Sequence, residues 1–226
     1  MTALARMLVI AAATVAILAA PASRAQTGSA VTVGILGWPL DRNDQVLALA
    51  NDVEDCLTSR IRDIAPEVTV VSQRAVRDAL FPLLEPATQP RDVKAFAAML
   101  AREDVRMRLQ SRGVRYLVAF SGGTQREGWE GGILCGYGFG AGGCLGFMWR
   151  GENTSLDAAL WSTDVPTQIR REGSRVEGTS VMPAFVLPIP LLARTRSEAC
   201  AELGTRIARA IRESAASPPA SAAPRD

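Results

Sequence analysis

The sequence predicts an α/β (α+β) fold: a mixed sheet with a βαβα core, an antiparallel strand meander and a packed C-terminal helix. Three observations predict it. Short β-branched apolar runs alternate with longer stretches whose apolar residues recur at steps of three and four. Proline and glycine clusters separate these units. After Gly122-Gly123 the spacing shortens to a strand-like alternation.

The elements follow in order. Val31 to Leu36 is an apolar run stopped by Gly37, Trp38 and Pro39, and it is expected to be a buried strand. A helix is expected from about Asp44 to Asp63, with Val46, Leu49, Val53, Cys56, Leu57 and Ile61 on its inward stripe. Val68 to Val71 is a second strand, and Ser72 caps a short helix running to Leu80. Pro82, Pro86 and Pro90 punctuate a connection. A longer helix is expected from Thr88 or Gln89, with Pro90 in its first turn and Val93, Phe96, Leu100 and Leu109 on its buried side. Gly113 closes it, and Tyr116 to Phe120 is a third strand.

Downstream, Ser155 to Trp161 is expected as a half-exposed strand, with another around Arg175 to Val181 and a partner near Thr167 to Arg170. Met182 to Leu192 is apolar with three prolines, and is expected as extended chain covering the core. Thr195 and Glu198 match a capping box for a last helix to about Ser214, with Cys200, Leu203, Ile207 and Ile211 on one stripe. The expected organisation is an export signal over 1–25, one domain over 26–214 and a disordered tail over 215–226.

The export signal rests on Arg6, the uncharged run Leu8 to Ala20, the helix breaker Pro21 and the small residues Ser23 and Ala25, which place cleavage before Gln26. The run is shorter than the roughly 20 apolar residues of a spanning helix, so no membrane span is expected after cleavage. Arg6 and Arg24 leave with the signal, which takes the formal charge from +2 to zero. Net charge then offers no case for nucleic-acid binding. The expected location is the periplasm.

Export bears on the cysteines. Cys56, Cys135, Cys144 and Cys200 are expected to form two bridges in an oxidising compartment, with buried free thiols as the alternative. The short glycine-rich spacing favours Cys135–Cys144, which leaves Cys56–Cys200, both on apolar helix faces.

The sequence contains no histidine, which removes Ser-His-Asp and Cys-His nucleophile pairs and every His-ligated metal site. The cysteines lack the paired short spacings of a zinc site, so no catalytic, metal or cofactor residues are assigned and an enzyme is not expected. Carboxylate chemistry would have to draw on Glu127, Glu130, Asp157 and Asp164. Gly138 to Gly143 matches Gly-x-Gly-x-x-Gly, but the following Cys144 to Trp149 is strand-like, whereas dinucleotide binding needs a helix there.

Eight glycines lie between Gly131 and Gly146, interleaved with Trp129, Tyr137, Phe139, Phe147 and Trp149. A hairpin closed by Cys135–Cys144 would hold this ribbon in one shape and present those five aromatics to a partner. The alternative is that they tuck under the domain and the bridge is structural. A small-ligand carrier, with a pocket lined by Trp38 and residues 182–192, is a further alternative.

The motif order VTVGILGW, VTVVSQRAVRDAL, GVRYLVAFSGG and SLDAALW, over Val31 to Trp161, resembles the amino-terminal domain of TolB and the periplasmic domain of curli-secretion lipoproteins. Arg77 to Pro82 and Gly143 to Gly146 resemble a group of uncharacterised exported proteobacterial proteins. Trp161 is followed by Ser162-Thr163, where those families continue into a Val-Trp-Asp-Leu turn, so no pore-forming or propeller function is carried over. The resemblance implies a periplasmic α/β domain that docks onto an unidentified envelope protein; the oligomeric state is not readable.

Overall fold

Val33 and Ile35 point to one side of the first strand and Leu36 to the other, and each side meets its own helical layer. The computed structural model describes residues 31–38, 50–138, 141–185 and 187–216. The expected export signal, the first turns of the helix from Asp44, Phe139 and the tail from 217 lie outside the described residues. The elements are β1 (Thr32–Gly37), α1 (Ala50–Ile64), β2 (Thr69–Val71), α2 (Gln73–Leu80), α3 (Val93–Ala101), α4 (Glu103–Ser111), β3 (Tyr116–Arg126), β4 (Glu130–Gly138), β5 (Ala141–Ser162), β6 (Gln168–Ala184) and α5 (Thr195–Ala216).

The sheet is mixed. β1 lies between β2 and β3 and is parallel to both. β5 is antiparallel to its neighbours: β3 and then β4 follow one another along one edge, and β6 takes the other. Helices α1 and α5 cover one face, where Val53, Leu57 and Ile61 meet Leu203, Ile207 and Ile211 over Val118, Leu156 and Leu160. Helices α2, α3 and α4 cover the other, where Val76, Phe96, Leu100 and Leu109 close over Leu36, Leu117 and Trp161.

Local chemistry sets the ends. The Ser72 hydroxyl accepts from the Ala75 amide and starts α2. Gly113, at a φ of +74°, reverses the chain into β3. Two bridges are present, Cys56–Cys200 tying α1 to α5 and Cys135–Cys144 across β4 and β5. These are the pairs that the sequence favours.

Four expectations are corrected. The long helix from Thr88 or Gln89 is two helices. Asp92 caps the first at the Ala95 amide, Pro90 lies before it, and Arg102 is extended between the two. A continuous helix, at 100° per residue, would set Val105 and Leu109 opposite Phe96 and Leu100. The break brings all four into one core. Second, Ser155 to Trp161 is the inner end of the 22-residue strand β5; Ser155 and Asp157 are half-buried, as expected, but from Ala158 onward both faces are buried, with Leu156, Ala158 and Leu160 in one core and Ala159 and Trp161 in the other. Third, the strands expected near 167–170 and 175–181 are one strand, β6, paired with β5 along most of its length.

Fourth, residues 182–192 do not cover the core. The chain leaves β6 and turns back along its outer edge, where Val181 and Leu191 exchange both backbone bonds and the Ile189 amide donates to the Pro183 carbonyl. Phe185, Leu187, Ile189, Leu191 and Leu192 are left exposed.

Candidate functional site: an uncharged β-arm

No residue of β4, and none of residues 142–151 of β5, enters either core. With the end of β6 and the returning segment 188–191, they form a sheet arm beyond the helical layers. From Gly131 to Trp149, and again from Thr179 to Ala193, the chain carries no charged residue.

Register assigns the faces. Leu134 stands opposite Leu145, Gly132 opposite Phe147 and Glu130 opposite Trp149 on one side of the arm. Phe147 and Trp149 face Pro183 and Val181 of β6, and Ile189 and Leu191 continue those rows. The result is one apolar face across four chain segments, with Phe185 and Leu187 at the turn beside it. Leu134 is 84% exposed, Phe185 79%, Leu187 71% and Leu145 68%. Together these side chains present on the order of 1,000 Å² of apolar surface, whereas a monomer's largest patch is usually a few hundred Å².

The opposite face carries Cys135–Cys144, Ile133, Tyr137, Met148 and Met182. At its root the Trp129 ring lies under the Arg150 guanidinium, 4.7 Å from its centroid. Arg150 also reaches the buried carboxylate of Glu152 at 2.8 Å, and Arg126 reaches it at 3.4 Å. Ser180 donates to Glu152 at 3.0 Å and accepts from the Ala193 amide. Glu152 is thereby the polar joint between arm and body, and it ties the returning chain to β5.

The five sequence-derived aromatics therefore have different surroundings. Phe147 and Trp149 form a tilted pair, 5.8 Å between centroids, on the apolar face. Tyr137 is 98% exposed near the tip of the arm. Trp129 is partly buried beneath Arg150, and Phe139 is outside the described residues. Sequence reasoning did not place Leu134 or Leu145 in the site, and it assigned the run from Phe185 to Leu191 to the core or to a small-ligand pocket instead. The signal was the uncharged stretch itself, whose strand register puts these residues beside the aromatics.

The carboxylates named from the sequence are not gathered. Glu130 is opposite Trp149, whereas Asp157 lies eight residues further along β5, roughly 27 Å away at strand rise. Asp157 has Arg171 at 3.8 Å, and Asp164 pairs with Arg115 at 3.3 Å. The Gly138 to Gly143 pattern joins strand β4 to strand β5, without the helix that pyrophosphate binding uses. Among the described residues no group of three or more acidic or cysteine side chains is placed to hold a metal ion. Trp38 is stacked on Phe96 in the core and donates its indole N–H to the Pro90 carbonyl.

Two open clefts flank the arm's root. One, of about 370 Å³, lies between Asp52, Arg126, Glu152 and the start of α5; the other, of about 580 Å³, lies around Glu127, Asn153 and Glu177. Neither is lined by Trp38 or by residues 182–192. In the first cleft the charges largely satisfy one another, as in Arg196 with Asp52 at 2.7 Å.

No family model matches the chain, and no curated protein matches it. Among solved structures it is similar to a dodecamer of a PelC variant from Paraburkholderia phytofirmans, at 10% identity and a TM-score of 0.34, covering 80% of this chain and 87% of that one. It is also similar to a putative neuraminyllactose-binding hemagglutinin homolog from Helicobacter pylori, at 8% identity and a TM-score of 0.33, covering 82% and 83%. Neither is described as a TolB or curli-secretion protein. At these scores the similarities bear on neither family nor function. What stands is a mixed α/β domain with two disulfides and an uncharged, apolar-faced arm.

Proposed function

We propose that this is a non-enzymatic accessory protein of the periplasm that binds another protein of the envelope through its arm. The observation that carries the reading is the arm itself: a sheet closed by Cys135–Cys144 and free of charge from Gly131 to Trp149, which extends beyond both cores and holds Tyr137 98% exposed near its tip. Such preorganisation lowers the ordering cost of binding. Two disulfides favour an oxidising compartment, and the leader-like residues 1–25 favour export. The dispersed carboxylates and the lack of histidine support a binding role over a catalytic one.

A photo-crosslinking residue at Tyr137, near the tip, tests this in intact cells, with the same residue at Lys94 on α3 as the control. The expected result is an adduct with a second envelope protein from position 137 and none from 94. Labelling that is equal at the two positions, or absent at 137, would overturn the proposal.

A further inference from the structure

The structure assigns the arm's apolar face an occupant: a second copy of this chain, its arm packed face to face with the first and running antiparallel to it. This rests on the arm being a protein-binding element, and it leaves the tip and the β4 edge for the envelope partner.

Three observations carry it. The first is area. The face offers on the order of 1,000 Å², and a standard protein–protein interface takes about 800 Å² from each partner. Two such faces would make a sandwich of the usual kind, with inner side chains interdigitating about 10 Å apart.

The second is charge. The patch holds no charge, so it matches itself. Its border does carry charge: Glu130 in the last row, Glu127 over Gly151, and Glu177 opposite Asn153. An acidic border disfavours an anionic lipid surface, which calls for lysine and arginine around an apolar face. It also fixes the sense of packing. Two arms side by side in parallel would bring the carboxylates together, whereas the antiparallel arrangement sets each acidic root against an uncharged tip.

The third is the pair of sheet edges. Ile189 and Leu191 spend their amides inward on β6. The outward amide positions of that edge fall to Pro188 and Pro190, which have no N–H to offer. The β4 edge, by contrast, has no outer strand partner among the described residues along its nine positions. Copies chained head to tail, β4 onto the returning segment, would therefore leave β4 carbonyls without donors, which disfavours a ring or a continuous sheet. A two-fold contact through the faces is free of that cost.

Analytical ultracentrifugation of the purified, non-reduced full-length protein across a concentration series tests this without any partner present. The expected result is a reversible monomer–dimer equilibrium, with the paired substitution Leu134→Glu and Leu145→Glu raising the dissociation constant at least a hundredfold. Both residues lie outside the cores, and circular dichroism should confirm that the fold is kept. A monomer at every concentration overturns the inference, and so does a dimer indifferent to the substitutions. Binding of the monomer to phosphatidylethanolamine–phosphatidylglycerol vesicles, lost on the same substitutions, reassigns the face to lipid and overturns it too. A purified monomer combined with a crosslink at Tyr137 in cells would sink the dimer alone and leave the proposed function standing.

Discussion

Glu202 on α5 shows how single side chains fasten the last helix to the sheet. The Ser174 hydroxyl of β6 donates to its carboxylate at 2.6 Å, and Arg206 pairs with it one turn along the helix. The Ser174 bond first, and the Arg206 charge second, hold the Glu202 carboxyl below its ordinary range. A carboxyl lowered on folding contributes stability above its unfolded value and loses that contribution as pH falls through the folded one. The tie between α5 and β6 therefore weakens in acid below the usual carboxylate range. Replacing Ser174 with alanine removes the larger cause, so the Glu202 titration followed by carbon NMR should move upward. A midpoint that stays put would show that Ser174 is not what holds it.

At the scale of elements, the two disulfides close loops of very different size and should act differently. Cys56–Cys200 spans 144 residues and Cys135–Cys144 spans nine. Chain entropy assigns about 5 kcal/mol to the first and roughly half that to the second. Serine at both positions of the first pair should therefore lower the urea midpoint of global unfolding the more. Serine at the second pair should lower it about half as far, and should also loosen the arm. Equal midpoint losses would contradict this division. The elements these bridges join were legible in the sequence because their apolar stripes are long and regular, as in Val53, Leu57 and Ile61 against Leu203, Ile207 and Ile211. The break at Arg102 could have been seen too, since Leu109 is out of phase with Phe96 and Leu100. β6 was harder to read. Its inward positions include Ser174, Gly178 and Ser180, small or polar residues that sit close under α5 and the chain leading into it, so the period-two signal of a strand is faint. The candidate site was legible as a glycine and aromatic cluster. Its leucines and isoleucine were not, because the face exists only once Val181 and Leu191 pair.

Across the whole molecule, one strand belongs to two environments. The inner end of β5 lies between two helical layers and has Leu156, Ala158 and Leu160 fully buried. Its outer half is flanked by β4 and the end of β6, and carries the arm's exposed apolar face. Amide protection follows buried apolar packing and local opening rather than the presence of a hydrogen bond alone. Hydrogen exchange should therefore divide β5 near Gly151, with residues 152–162 exchanging at the rate of global unfolding and residues 142–150 exchanging much faster in dilute protein. The paired arms add a condition: when concentration is raised into the dimer range, protection should rise in 142–150 and in β4 while 152–162 stays as it was. Uniform protection along β5 at every concentration would mean that the arm is part of the core's cooperative unit. A division that ignores concentration would mean that the arm stands free.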